Sequence, residues 1–245
     1  MAYQLITGIV VAEGDVDFQN VNVVNSTAKF NAIQLQVVFG GLVGHAISSN
    51  MTVNASSTNI QINFRHNSLI TTEFLAFGGL VGQADYNTTI NASQAVFTFA
   101  TNIRVQRCYV GGLIGNALSN STTTLSTTYI TLNSTSAKNL LVGGAVSFSQ
   151  SSVQVTNCKT IISGQTQVSK VYSLVGRAAS TNIQNTVSDD YTTASVSPSP
   201  AASCTNCYVL TNAVETGYSA NLTAPLSQSQ YPNLDFSAVW KLVIS

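Results

Sequence analysis

The sequence carries very little charge. Asp, Glu, Lys and Arg make up 7% of 245 residues and the formal net charge is zero, against roughly 25% charged residues in ordinary soluble domains. No basic stripe is available to neutralise phosphates or an anionic membrane surface, so nucleic acid is excluded as a partner. Good helix formers are scarce too, with three Glu and five Lys in the whole chain. No apolar run approaches the ~20 residues that a bilayer-spanning helix needs, so no membrane insertion is expected of this segment. Residues 1–12 lack a basic start and a small-residue cleavage site, and no signal peptide is read there. Four cysteines, Cys108, Cys158, Cys204 and Cys207, are too few to build a disulfide scaffold of this length. Cys204 and Cys207 form a Cys-x-x-Cys pair, but His45 and His66 lie far off without ligand spacing, so no zinc site is expected. The cysteines read instead as small hydrophobes or one local disulfide.

What is present is a core and a repeat. Hydrophobic residues reach 44%, enough to exclude global disorder. The surface falls to Ser, Thr, Asn and Gln. Phe39-Gly40-Gly41-Leu42-Val43-Gly44 recurs as Phe77-Gly78-Gly79-Leu80-Val81-Gly82 and as Val110-Gly111-Gly112-Leu113-Ile114-Gly115. Looser copies are Val142-Gly143-Gly144-Ala145-Val146-Ser147, Val171-Tyr172-Ser173-Leu174-Val175-Gly176 and, early on, Ile6-Thr7-Gly8-Ile9-Val10-Val11. With the second Gly as marker, Gly8, Gly41, Gly79, Gly112, Gly144 and Ser173 are spaced by 33, 38, 33, 32 and 29 residues. A small residue follows two places after the last Gly, at Ala46, Ala84, Ala117, Ser149 and Ala178. Columns of like residues are what stacked repeats require, because each side chain rests on its equivalent one rung away.

Between the motifs apolar and polar residues alternate, as in Ile60-Gln61-Ile62-Asn63-Phe64 and Val153-Gln154-Val155. Alternation with β-branched enrichment predicts strands, and the Asn, Ser and Gly clusters between them predict turns. A unit of this size holds three short strands and three turns. The expected fold is all-β: a parallel β-helix (β-solenoid) of about six coils. The paired glycines are expected either to take positive φ at a corner or to let neighbouring rungs approach closely. Leu and Val of the motif are adjacent, so in a regular strand they face opposite ways. That predicts an outer apolar stripe needing a cover, unless the backbone kinks there.

The repeat resembles the GLUG-motif repeats of secreted and cell-surface adhesin-like proteins. The matching residues are Gly41-Leu42-Val43-Gly44, Gly79-Leu80-Val81-Gly82 and Gly112-Leu113-Ile114-Gly115, with Leu174 and Gly176 in a weaker copy. Cys108-Tyr109, Asn157-Cys158 and Asn206-Cys207-Tyr208 are similar to the Asn-Cys-Tyr element that often precedes the glycines in that family, and the tail from Tyr231 to Ile244 is similar to the segment that ends such arrays. The resemblance, over about residues 35–245, implies a right-handed β-helix and surface adhesion. It implies no catalytic residues and no cofactor.

Three regions are expected: solenoid repeats over 1–188, a Ser/Pro linker over 189–203 containing Pro198 and Pro200, and an aromatic C-terminal cap over 204–245 packed on the solenoid, with Phe236 and Trp240 buried. Solenoids need caps, because an open rung is an unpaired edge.

Candidate chemistry is thin. Glu13, Asp15 and Asp17 flank Gly14 but lack a calcium-loop pattern, and read as an acidic turn. Asp189 and Asp190 are adjacent and point apart in a strand, poor geometry for an acid–base pair. His45 follows the motif where other copies carry Gln83, Asn116 and Arg177, a variable column that reads as exposed surface. No metal or cofactor site is expected. Eight Asn-x-Ser/Thr sequons, at Asn25, Asn50, Asn54, Asn87, Asn91, Asn120, Asn133 and Asn221, are possible glycosylation sites, and the pair Asn50/Asn54 recurs as Asn87/Asn91. The expected function is a non-enzymatic structural or adhesive module, extracellular or on a cell surface, meeting other surface proteins, glycans or copies of itself. The alternatives are a carbohydrate-active β-helix enzyme, which would need clustered acids and bases on one face, or an ice- or surface-binding solenoid, which would need a flat Thr array.

Overall fold

The structure, a computed structural model, describes residues 4–7, 16–19, 21–30, 36–47, 50–64, 74–101, 107–134, 140–166, 170–172, 174–192, 196–197 and 202–211. Among them there is no helix, and every strand pairing is parallel. The described residues form a β-solenoid of about four turns, with further strands stacked at both ends.

Each turn uses four strands rather than the expected three. In one turn these are Phe74–Gly78, Val81–Ala84, Thr88–Asn91 and Gln94–Thr101. The next turn repeats them as Cys108–Gly111, Ile114–Ala117, Ser121–Thr124 and Thr127–Ser134. First strands stack into a 7-stranded sheet, second strands into a 5-stranded sheet, and third and fourth strands together belong to a 12-stranded sheet. Below, these are the first, second and third sheets.

The extra break is a one-residue corner between the third and fourth strands. Ala55, Ala92, Leu125 and Asn157 take φ of 45, 47, 49 and 53°, the left-handed region that L-residues usually avoid. They stack on one another through backbone bonds, Ala55 N–H to Asn91 O and Ala92 N–H to Thr124 O, each 3.0 Å. The residue after each is buried: Ser56, Ser93, Ser126 and Cys158. Ser56 N–H donates to Ser93 Oγ, and Ser93 N–H to Ser126 Oγ, both at 3.2 Å. Each hydroxyl in turn donates to the carbonyl two residues back, Ser93 to Asn91 O at 2.8 Å and Ser126 to Thr124 O at 2.8 Å. The column therefore satisfies backbone donors that the bend takes out of the sheet ladder.

The repeat motif builds the other corner, between the first and second sheets. Phe39, Phe77, Val110, Val142 and Val171 stand in one ladder, and Gly40, Gly78, Gly111 and Gly143 in the next. The early copy is one residue out of this frame: Thr7, not Ile6, pairs with Phe39. Leu42 and Val43 amide groups both donate to Leu80 O at 2.9 Å, and Leu80 and Val81 both donate to Leu113 O at 3.1 and 2.8 Å. Two successive donors on one acceptor make a bulge that turns both side chains the same way. Leu42, Val43, Leu80, Val81, Leu113 and Ile114 are consequently all buried in one apolar cluster. Among the described residues the motif leaves no outer apolar stripe, so none needs a cover.

The glycines serve close approach and not positive φ; the one described glycine with positive φ is Gly164. A Cβ on Gly79 would sit 2.1 Å from Gly112 O and 2.6 Å from Ala95 Cβ. Beside this crowded line, Thr58 and Thr128 hydroxyls donate to Gly79 O and Gly144 O at 2.7 Å.

Two apolar clusters fill the turns. One lies between the first sheet and the fourth strands, with Phe77, Phe97, Phe99, Val110 and Leu132; the other lies behind the second sheet and the third strands, with Leu80, Ile90, Val153 and Ile183. Cys108 belongs to the first and Cys158 to the second, both as free thiols. Burial pushes the Cys108 thiol well above its ordinary value. It also raises Cys158, to about 11, against the lowering effect of hydrogen bonds from the Ser126 backbone and the Thr123 side chain.

Stacking continues past Asp189, where the sequence period fades. Ser180–Thr192 pairs residue by residue with Lys159–Gly164 through Val187–Thr192, and Ala202–Thr211 pairs with Ser180–Thr192. Residues 212–245, with Phe236 and Trp240, lie outside the described residues, as do Gly8, Glu13, Gly14, Asp15 and Ser173.

Candidate functional site

A connected polar cluster lies on the outward side of the second sheet. Its strands place His45, Gln83, Asn116, Phe148 and Arg177 in one column by register. The expectation of an exposed surface column is corrected here: His45 is 6% and Asn116 3% exposed. The reason is the Gly-Leu corner, which folds the second sheet against the outward side of the first. Tyr109, which alternates with the inward Cys108 and Val110, stacks its ring on Phe148 at 4.7 Å and 14°, and Ser147 Oγ donates to Leu141 O at 2.8 Å. Val38 and Ala76, outward on the first sheet, are fully buried for the same reason. Gln83 and Phe148 are half-buried, and Arg177, which lies 5.9 Å over the Phe148 ring, is exposed.

Within the column, His45 Nε2 lies 2.8 Å from Asp85 Oδ1, and Gln83 Nε2 donates to the same oxygen at 2.9 Å. Gln83 Nε2 is also 3.0 Å from His45 Nε2. The carboxylate can only accept, so the proton belongs on His45 Nε2 and both nitrogens face Asp85 as donors. Asn116 Nδ2 continues the chain to Gln83 Oε1 at 3.2 Å. His45 Nδ1 and Asn116 Oδ1 are sealed from solvent with no hydrogen-bond partner among the described residues. The cluster thus links three successive turns. It contains one imidazole and one carboxylate, and the described residues hold no group of three His, Cys, Asp or Glu that could take a metal ion.

The third strands offer a polar solvent-facing surface. Their inward residues, such as Val53, Ile90, Thr123 and Val155, are buried, while Thr52, Thr89, Thr122, Gln154 and Asn182 alternate with them and face out. A polar array therefore runs down the axis through residues roughly one repeat apart in sequence. Read along the chain, no segment announces it.

The sequence-derived ladder residues come together: Gly41, Gly79 and Gly112 stack at one corner, Leu42, Leu80, Leu113 and Leu174 below them, and Gly44, Gly82, Gly115 and Gly176 are buried on the second sheet. The Cys-Tyr segments do not occupy equivalent places. Cys108-Tyr109 is in a first strand, whereas Asn157-Cys158 is at the left-handed corner and Cys207 pairs with Thr186 in the same column. No helix among the described residues is long and apolar enough to cross a membrane. No family model matches the chain, and no curated protein or solved structure matches it.

Proposed function

We propose that this chain is a non-catalytic structural or adhesive module of an extracellular or cell-surface protein: a right-handed solenoid of about six coils with a C-terminal cap. The observation that supports a structural role is where its polar groups go. The His45–Asp85 pair is held by Gln83 between turns, with Nε2 occupied and Nδ1 sealed. A general base needs a nitrogen that substrate can reach, and His45 offers none. The Ser and Thr columns likewise bond from turn to turn. What faces solvent is weakly charged, periodic and polar, suited to a display surface and to contact with glycans, other surface proteins or copies of the same chain. The resemblance of the Gly-Leu-Val-Gly copies to adhesin-like repeats agrees with this reading.

Protease shaving of intact cells that make the protein tests the location: fragments of this chain in the released peptides are expected, and their appearance only after lysis refutes surface display. Incubation with a polysaccharide panel tests the absence of catalysis; release of new reducing ends or unsaturated products refutes it. For the cap, truncation after Ser195 is expected to increase self-association in light scattering.

A further inference from the structure

Stacking the turns divides five of the eight sequons into two physical kinds. Asn50, Asn87 and Asn120 form one column at the entry to the third strands, since Met51 N–H donates to Asn87 O and Thr88 N–H to Asn120 O, both at 3.0 Å. All three are exposed, and the sequon threonines two residues on, Thr52, Thr89 and Thr122, face out in the same alternation. Asn87 Oδ1 accepts from Ser119 Oγ at 3.2 Å and Asn120 Oδ1 from Ser152 Oγ at 2.7 Å. Neither bond uses the amide nitrogen.

Asn54 and Asn91 are built differently. Both are half-buried, and each is followed by the left-handed Ala55 or Ala92 and then by buried Ser56 or Ser93. Their sequon hydroxyls are committed to the corner ladder. In the next two turns that ladder keeps Ser126 and Cys158, while the asparagine is replaced by Thr124 and Thr156. The corner requires the hydroxyl or thiol; the asparagine beside it completes a sequon by coincidence.

We infer that Asn50, Asn87 and Asn120 form a row of N-glycan acceptors along one edge of the solenoid, and that Asn54 and Asn91 are corner residues that carry no glycan. The inference rests on the exported reading above. The donor is a lipid-linked oligosaccharide pyrophosphate. Its anomeric C1–O bond to phosphate breaks, a C1–Nδ2 bond forms, the amide loses one proton and the lipid pyrophosphate leaves. Oδ1 remains a carbonyl acceptor, so the bonds from Ser119 and Ser152 survive the modification. Adjacent acceptors are one rung, ~4.8 Å, apart. A branched oligosaccharide is wider than that, so each molecule carries one or two chains on this row, not three.

The full chain, secreted behind an added leader from a eukaryotic cell, is deglycosylated by peptide N-glycosidase in heavy-oxygen water, which marks each former acceptor as labelled Asp. Label is expected at Asn50, Asn87 and Asn120, at one or two sites per molecule, and absent at Asn54 and Asn91. The combined variant Thr52→Ala, Thr89→Ala and Thr122→Ala, which keeps the asparagines and their hydrogen bonds, abolishes label in the row. Asn54→Gln with Asn91→Gln leaves the row's label unchanged. Comparable label at Asn54 or Asn91, or no label on the row, overturns the inference; the intracellular pool is read in the same way, so poor secretion does not leave it open. Because the leader imposes export, either result is independent of where the chain naturally resides, which the shaving experiment decides.

Discussion

At the Gly-Leu corner, Gly41, Gly79 and Gly112 keep ordinary backbone angles and remove their side chains, so that one turn's backbone can touch the next. At the second corner, Ala55, Ala92, Leu125 and Asn157 keep their side chains and give up ordinary angles, with φ between 45 and 53°. The first bend is forced by contact, and its cost would appear as a clash. The second is forced by connectivity, and its cost is backbone strain, offset by the hydroxyl column beside it. Residue identity is therefore narrower at the first, where Gly41, Gly79, Gly112 and Gly144 precede Ser173, than at the second, where four turns use Ala, Ala, Leu and Asn.

The largest effect is expected at the first corner. Gly79→Ala places a methyl 2.1 Å from Gly112 O, a backbone atom that cannot swing away. Destabilisation of about 3 kcal/mol or more is expected, at the upper end for overpacking. A denaturant midpoint close to the parent's shows that the turns can separate there, and the contrast between the corners fails.

A pH effect follows at the second corner. The Cys158 thiol is raised to about 11 in the folded chain from an ordinary 9.0, first by burial. The folded state thus holds the proton more tightly, so stability is full below pH 9 and falls as pH rises toward 11, by on the order of 2 kcal/mol for this group. Buried Cys108 adds a fall of the same sign. Cys158→Ser matches the Ser56, Ser93 and Ser126 column, so it should be well tolerated at pH 7 and should shallow the alkaline decline. An unchanged pH profile in chemical denaturation shows that Cys158 is not sealed in the ladder.

Ser93→Ala tests the ladder directly. It leaves the buried Ser56 N–H without its 3.2 Å acceptor, a loss of about 1–2 kcal/mol. Faster amide exchange at Ser56 is the specific signature; a stability loss without it argues for packing alone.

The two corners also differ in how far they could be read from sequence. The Gly-Leu corner was legible because its constraint acts inside one short segment and paired glycines meet it in four successive copies. Even there, the double-donor bulge that buries both Leu80 and Val81 was visible only as an alternative to an outer stripe. The second corner was hidden because a left-handed Ala looks like any other Ala. Its signal was the column Ser56, Ser93, Ser126, Cys158, spaced like the motif, which aligning the turns would have exposed. The same blindness made His45 look exposed: residue variety down a column says that positions differ, and burial depends on the neighbouring sheet. The stronger copies share one register, but the early copy slips by one residue because Ile6-Thr7-Gly8 lacks the second glycine that fixes the frame.

The smallest effect isolates the strain itself. Ala92 is exposed, its φ is 47°, and its N–H donates to Thr124 O at 3.0 Å. Ala92→Gly removes a left-handed penalty of roughly 1–2 kcal/mol and adds roughly 0.5–1 kcal/mol of unfolded-state entropy cost. The net expectation is stabilisation of about 0.5 kcal/mol, measured as a rise in denaturant midpoint at constant m. Ala92→Asn should do at least as well, since Asn tolerates the left-handed region without glycine's entropy, and Asn157 already occupies the equivalent position. The reverse change, Asn157→Ala, should lower stability by a similar amount. If Ala92→Gly lowers stability while Asn157→Ala leaves it unchanged, the corner is not strained. The hydroxyl column would then be the cause of the bend, not its compensation.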